Sequence, residues 1–462
     1  MAEQAKFLTG NLFRHVAVMS LTSSIGLMAI FAVDFIDMIF ISMLGNSELA
    51  AAVGYAGAIL FFTSSFGIGM AIAAGALVAQ ALGSGNDDEA RVKASHALLY
   101  GFGFGAAFAA VVWMNLTPLV ALMGATGETA KLAELYLAII IPSLPVLILG
   151  MVGGAVLRAH GAARAAMMAT IWGGLVNAVL DPILIFGLGL DLTGAALASV
   201  AARLTIAFMS LRPLIRDHGG LDRPEIKGLV ADLRPVLAIA VPAILTQLAT
   251  PVGQAFVTRS MAAFGEEAVA GMAIVGRLTP LSFAIVFALS GAVGPIIGQN
   301  HGAGDEQRVR RAFRDAILFV ALCIAVITAA LFALRGPIAA LFEAEGVARQ
   351  LVYLFCGPLA LAFFFNGVIF VANASFNNLG HPYWSTWVNW GRHTLGTIPL
   401  VMLGAAIWGA PGVLIGQAAG GVLFGVLAWW MAARLMRSNA APHQVEPYQR
   451  QARLHSLFHN RR

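Results

Sequence analysis

Two aspartates in the first apolar segment of the chain have the chemistry to bind and release a cation. Asp34 and Asp37 lie in an apolar run from about His15 to Leu44, which is long enough to cross a bilayer as a helix. Their spacing of three residues places both carboxyl groups on one helix face. A carboxylate at membrane depth is costly unless it is protonated, paired or in contact with water, so this pair predicts a proton- or ion-binding site.

A third acid, Asp181, stands in a second apolar segment with the sequence Asn177-Ala-Val-Leu-Asp181-Pro182. Asn177 precedes Asp181 by one helical turn and should share its face. Pro182 lacks an N–H group, which predicts a kinked helix with freed backbone acceptors. We therefore expect Asp37 and Asp181 to be cation-coupling residues, with Asn177 beside Asp181. A carboxylate–amide cluster suits either H⁺ or Na⁺, and we expect H⁺, with the same three residues as candidate ligands for Na⁺.

Composition assigns the chain to a broad class. Its 462 residues are 59% hydrophobic and only 11% charged, with a mean hydropathy of +0.82, whereas soluble domains carry about 25% charged residues. These values predict an all-α polytopic membrane protein. Both cysteines lie in apolar runs, which argues against a disulfide framework or a thiolate metal site. The sequence lacks a phosphate-binding P-loop, so we expect no ATP motor and no cofactor apart from the coupling ion.

Hydropathy predicts twelve membrane spans, at about residues 15–44, 48–82, 94–116, 133–157, 165–188, 194–214, 235–262, 268–300, 313–334, 350–376, 383–405 and 409–433. The segments on the side of the N-terminus carry 21 Lys and Arg residues, against 4 on the opposite side. Both termini are therefore expected in the cytoplasm, with the chain in the cytoplasmic (inner) membrane. On this interpretation the basic residues determine topology and do not bind nucleic acid.

The chain repeats itself. Residues 78–85 match residues 297–304 at an offset of 219, and residues 44–50 match residues 264–270 at an offset of 220. Because six spans are an even number, both halves enter the membrane in the same direction, which predicts a central cleft between them. The expected divisions are a six-helix bundle at 1–214, a cytoplasmic linker at 215–233, a second bundle at 234–436 and a basic cytoplasmic tail at 437–462.

Four polar residues are candidates for lining the cleft. Gln254, Asn366 and Asn373 lie in spans of the second half, although Asn and Gln also join helices to one another. Asp34 is the fourth, either as a second titrating group or as a contact for a cationic substrate. The acids within spans are confined to the first half, so the halves are expected to differ in their electrostatics.

Four segments in their order along the chain resemble the multidrug and toxic compound extrusion (MATE) family of cation-coupled efflux transporters. They are Ile36-Asp37-Met-Ile-Phe-Ile-Ser-Met-Leu-Gly45, Gln80-Ala-Leu-Gly-Ser-Gly85, Leu157-Arg-Ala-His-Gly161 and the segment from Asn177 to Pro182. The last is similar to the branch that includes DNA-damage-inducible protein F relatives and archaeal members. The resemblance implies two six-helix bundles in a V shape and antiport of H⁺ or Na⁺ against organic cations.

The resemblance also implies site residues. In that branch the counterparts of Asp37, Asn177 and Asp181 form a cation network, which a hydroxyl in the sixth span often joins. Ser199 is the matching residue here. Members often have a proline early in the first span, but the position equivalent to Pro242 of the second half is Thr22, so a proline-driven bend is not expected.

We therefore expect a monomeric secondary transporter, not an enzyme, that exports lipophilic or cationic drugs across the lipid bilayer. A flippase for lipids or lipid-linked oligosaccharides is an alternative within the same superfamily. Its anionic head groups would require cationic residues in the cleft, for which only Arg277 and Arg392 are candidates. An intramembrane aspartyl protease is disfavoured because Asp34 and Asp37 lie on one helix and do not face each other.

Overall fold

The computed structural model describes residues 5–223 and 225–437, and the secondary structure of these residues is helical. We number the long helices α1 to α12. They are α1 Leu12–Met43, α2 Ser47–Gly83, α3 Asp87–Met114, α4 Gly127–Ala159, α5 Ala163–Gly187, α6 Asp191–Asp217, α7 Ile226–Ala262, α8 Glu266–Ser282 with Ala284–Gly302, α9 Glu306–Leu341, α10 Gly346–Ala362 with Phe364–Asn378, α11 382–408 and α12 410–437.

The described residues thus contain the twelve spans that hydropathy predicts. Two of the spans are bent, α8 by 45° and α10 by 41°. The last helical run divides at Gly409, whose φ of 65° and ψ of −139° are open to glycine but not to other residues. The connection between α6 and α7 occupies only residues 218–225, and the predicted basic tail lies outside the described residues apart from Arg437.

Several helices begin before the apolar segment, because polar residues cap their first turns. The span predicted from residue 94 starts at Asp87, where the Asn86 side chain accepts a hydrogen bond from the backbone N–H of Glu89. Asp305 does the same for Arg308 at the start of α9. The acidic residues in these first turns also stabilise the helices, because a helix N-terminus carries a partial positive charge. Hydropathy alone therefore places these helix starts too late.

The two halves touch where α2 and α8 end. A Cβ atom at Gly83 would lie 2.0 Å from the carbonyl oxygen of Gln299, and one at Gly302 would lie 2.0 Å from that of Gln80. Only glycine permits such an approach, and both pairs occupy equivalent positions of the repeat. Phe7 closes the same region, since its backbone N–H donates to Gln299 Oε1 at 2.8 Å. We call this contact the base and the opposite ends of the helices the mouth.

Beyond a second contact, where Gly69 of α2 packs against Ala240 and Ile244 of α7, the halves diverge. Phe7 and the first turns of α1 pack into the core of the second half, with Leu12 and Val16 among the buried side chains. Beyond Ser24, by contrast, the only buried residues described in α1 are Gly26 and Ile41. The bend in α8 has the same effect, because its second helix packs on α1 and α2 whereas its first helix leans away. The result is the expected V of two bundles with a central cleft.

Candidate functional site

One side-chain amide connects two carboxyl groups from two helices. Asn177 Nδ2 donates to Asp37 Oδ1 and to Asp181 Oδ2, each at 2.9 Å. The side chains of Asn177 and Asp181 are only 4% and 1% exposed, and Asp37 is half-buried. The structure therefore brings together the three residues that the sequence proposes as a cation site, and it does so inside the first half.

Small residues and a helix break position this cluster. Gly174 allows α5 to approach α1, since a Cβ there would lie 3.0 Å from Val33 Cγ2. Directly after Asp181, Pro182 ends the regular helix, and a π-helical turn follows over Ile183–Gly187. The missing N–H of Pro182 leaves the carbonyl of Ala178 without its usual helical donor. The predicted break is thus present at the predicted residue.

One carboxyl oxygen of the cluster lacks a hydrogen-bond donor among the described residues. Asp181 Oδ1 is buried and has no hydrogen-bond partner among the described residues. A buried acceptor without a partner costs free energy, and a bound proton or ion would remove that cost. The amide of Asn177 presents its N–H₂ group to both carboxyl groups, so its own oxygen points away from them.

The predicted hydroxyl, Ser199, makes no direct hydrogen bond to Asp37, Asn177 or Asp181 among the described residues. Its side chain forms a hydrogen bond with the hydroxyl of Tyr136. Tyr136 in turn interacts electrostatically with Asp37 and Asp181. Beside it Arg203 is held by the broken part of α4, donating from Nη1 to the carbonyl of Ile140 and to a serine hydroxyl. We did not predict Tyr136 from the sequence. The sequence feature that points to Tyr136 is its hydroxyl group in an apolar segment, because a buried tyrosine hydroxyl usually finds a hydrogen-bond partner.

Asp34 lies apart from this cluster. Its side chain is exposed, one turn from Asp37 on the same helix, and it makes no hydrogen bond among the described residues. An exposed carboxyl group beside the buried cluster can be reached from outside the bundle. This placement matches either of its predicted roles, in titration or in contact with substrate.

The predicted cleft residues of the second half do not form one group. Gln254 is exposed and accepts from Gln417 Nε2 at 3.2 Å. Asn373 is buried in a hydrogen-bonded network, where Asn389 Nδ2 donates to its Oδ1 at 3.3 Å. Asn366 lies between these extremes, with a buried Oδ1 that has no partner in the described part of the chain. Gln254 and Asn373 thus each join two helices, whereas Asn366 does not.

Comparison with known proteins identifies the family. The MatE family model matches residues 22–183 and again residues 242–403. The chain belongs to the MatE family. The two matches are offset by 220 residues, which agrees with the repeat read from the sequence. MatE proteins are transporters, so this chain is an integral multi-pass membrane transporter and not an enzyme.

Two curated relatives of this MatE protein span almost its whole length. A FAD transporter of Shewanella oneidensis is 30% identical over 441 residues, covering 94% of this chain and 97% of the relative. The multidrug export protein MepA of Staphylococcus aureus is 24% identical over 408 residues, covering 87% of this chain and 89% of the relative. Multidrug efflux is therefore present among the relatives of the chain.

Two solved structures share the fold. A Vibrio cholerae MATE transporter superposes with a TM-score of 0.88 at 24% identity, covering 93% of this chain and 98% of that one. An outward-facing conformation of a multidrug resistance MATE family transporter gives 0.87 at 21% identity, covering 94% of this chain and 98% of that one. At these identities the likeness shows the fold alone.

Proposed function

We propose that the chain is a secondary active exporter that moves small lipophilic or cationic organic molecules out of the cell in exchange for protons. The observation that carries this proposal is the pair of carboxyl groups, on α1 and α5, held by the amide of Asn177. A change in the charge of this pair alters the contact between two helices that line one half of the cleft. Proton binding is thereby linked to helix position, as antiport by alternating access requires.

Protons are favoured over Na⁺ as the coupling ion. Na⁺ would need several oxygen ligands, but Asn177 directs nitrogen to both Asp37 and Asp181. A proton needs only one free carboxyl oxygen, and Asp181 Oδ1 supplies it. Ser199 and Tyr136 complete the polar surroundings.

The direction of transport follows from the distribution of basic residues. The base lies on the side of the N-terminus, which carries 21 of the 25 Lys and Arg residues at or near the two membrane faces. We therefore place the base in the cytoplasm and the mouth outside the inner membrane. In this conformation substrate leaves through the mouth, and opening of the base then admits the next molecule. We further propose that the exporter is a monomer without a bound cofactor.

Proteoliposomes with an imposed pH gradient, or separately an imposed Na⁺ gradient, test this function. The transported probe is a fluorescent lipophilic cation. We expect the pH gradient alone to drive transport and the Na⁺ gradient alone to have no effect. Transport driven by the Na⁺ gradient alone would show that Na⁺ is the coupling ion. No transport with either gradient would refute antiport.

A second substrate class is favoured by one residue of the second half. Arg392 has no acidic partner among the described residues, although it lies within a span. The relative from Shewanella oneidensis is named a FAD transporter, and FAD carries negatively charged phosphates. FAD is therefore the second probe for the same assay.

A further inference from the structure

Arg392 carries a positive charge into the middle of the second half. It lies ten residues after the start of α11, and its backbone carbonyl accepts a hydrogen bond from the Thr397 hydroxyl. Its guanidinium has no ion pair and no hydrogen bond within the described residues. An arginine at membrane depth is costly unless an anion or water accompanies it. The residue is therefore expected to have a partner that is not part of the chain.

A small space adjoins this guanidinium. A Cβ atom at Gly421 would lie 3.9 Å from Arg392 Nε and 3.4 Å from Asn366 Oδ1. Glycine thus leaves a gap about the size of a methyl group, which both polar groups border. Asn366 Oδ1 is buried and lacks a hydrogen-bond partner in the described part of the chain. A cationic donor and an unused acceptor therefore face the same space.

The surface next to this space is polar and accessible. Gln417 stands one turn before Gly421 on the same face of α12 and donates to the exposed Gln254 at 3.2 Å. Gln254 is the repeat equivalent of Asp34, at an offset of 220 residues. Exposed amides at membrane depth belong beside water, which places them at the cleft. The region that is acidic in the first half is therefore cationic and amide-rich in the second.

We propose that Arg392, Asn366 and Gly421 form a subsite for the anionic group of an exported substrate. This inference rests on the proposed export of small organic molecules. The guanidinium binds the phosphate or carboxylate through paired N–H donors, and Asn366 accepts from an N–H or O–H group of the same molecule. Gly421 carries no side chain that would cover these two groups. A soluble phosphate ester and a lipid head group share this chemistry.

Transport of three probes by the reconstituted protein tests the subsite. The probes are FAD, the lipophilic cation and a fluorescent phosphatidylglycerol whose flipping is measured by quenching from outside. We expect Arg392→Gln to lower FAD transport about tenfold, while transport of the cation changes less than twofold. Gly421→Ala should lower FAD transport in the same way, because its methyl group occupies the space without a steric clash.

Two matched variants serve as controls. Arg259→Gln removes an exposed arginine, and Gly103→Ala adds a methyl group where no atom lies within 4 Å. Both should transport all probes as the wild-type protein does. FAD binding to the detergent-purified protein, measured by fluorescence anisotropy, gives a readout independent of the gradient. It should weaken about tenfold in Arg392→Gln, while riboflavin, which lacks the phosphates, should bind both proteins equally.

The outcomes separate the two proposals. Equal losses for FAD and the cation in Arg392→Gln would show that the arginine supports the fold, and would overturn the subsite. If the wild-type protein transports the cation but neither phosphate-bearing probe, and does not bind FAD, the subsite is also overturned. Proton-coupled export would still stand. Transport of FAD alone would identify a soluble phosphate ester as the substrate class, whereas flipping of the labelled lipid alone would identify a lipid. If neither gradient drives any probe but Arg392-dependent FAD binding persists, export fails and the anion subsite stands.

Discussion

Asn177 Nδ2 lies 2.9 Å from Asp37 Oδ1, so that a hydrogen bond spanning 140 residues of sequence joins α5 to α1. The same nitrogen holds Asp181 at an equal distance. The charge state of two acids is thus connected to the position of α1, a helix whose mouth-side half has few buried residues. Because few residues of that half of α1 are buried, a small change in this contact can move it.

Asp37→Asn should abolish coupling and leave the fold intact. The amide keeps an oxygen that can accept from Asn177, but it cannot take up or release a proton. We expect transport of the lipophilic cation under a pH gradient to fall roughly tenfold or more, with an unchanged melting temperature in detergent. Glu266→Gln is the matched control, since Glu266 is an exposed acid at the start of α8, in the other half of the chain. Undiminished gradient-driven transport by the Asp37 variant would remove Asp37 from the coupling site.

Asn177→Ala should impair both stability and transport. It leaves two carboxyl groups without their shared donor, and loss of these bonds should lower the free energy of unfolding by about 1–3 kcal/mol. Thermal melting followed by intrinsic fluorescence measures the first effect, and the pH-gradient assay measures the second. Gln254→Ala, which loses one exposed hydrogen bond, should melt like the wild-type protein. A normal melting temperature together with normal transport in Asn177→Ala would contradict the bridging role.

The sequence contained much of this site because its key spacings are short. Asn177 and Asp181 are four residues apart on one helix, and polar residues in an apolar run are visible at once. That α1 supplies Asp37 to them was implied by family resemblance, since helix periodicity does not say which helices pack together. Tyr136 was missed for this reason, because its link to Ser199 crosses from α4 to α6.

The sequence also does not show which way a polar side chain points. Asn366 and Asn373 lie seven residues, about two helical turns, apart on α10 and look alike in sequence. Only Asn366 has a free buried oxygen, whereas Asn373 is satisfied by Asn389. Twelve spans were predictable from hydropathy, but the break at Gly409 and the bends in α8 and α10 depend on local backbone geometry. Thr22, standing where the second half has Pro242, lies in an unbroken α1.

Gly83→Ala should favour opening of the base. The added Cβ would lie 2.0 Å from the carbonyl oxygen of Gln299, a contact that forces the two halves apart. A penalty of about 1–3 kcal/mol would shift the balance of closed and open bases by roughly 5- to 150-fold. Spin labels on cysteines at the exposed, repeat-equivalent positions Ser84 and Ala303 measure the separation by pulsed electron resonance.

We expect a second, longer distance population in this variant. The native thiols are first removed by Cys323→Ser and Cys356→Ser, since both cysteines are free. Gly103→Ala, a glycine without neighbours within 4 Å, is the matched control and should retain the wild-type distances. An unchanged distance distribution in Gly83→Ala would show that the base tolerates the methyl group, contrary to the backbone contact described above.

His160 should make the protein less stable in acid. It lies in the short connection after α4 and stacks on His218 with ring centroids 4.6 Å apart. Burial, and then the neighbouring His218, lower the pKa of His160 from its ordinary 6.5 to about 4. Between these two values the unfolded chain binds the proton more readily than the folded protein, so stability is fully present above pH 6.5 and declines as the pH falls toward 4.

His160→Gln removes this titration. We expect the drop in melting temperature from pH 8 to pH 5 to be smaller in the variant than in the wild-type protein. His15→Gln, which removes a half-buried histidine in α1 that packs on Phe7, is the control and should show the wild-type drop. An equal drop in both proteins would mean that His160 takes up its proton as easily in the fold as in the unfolded chain.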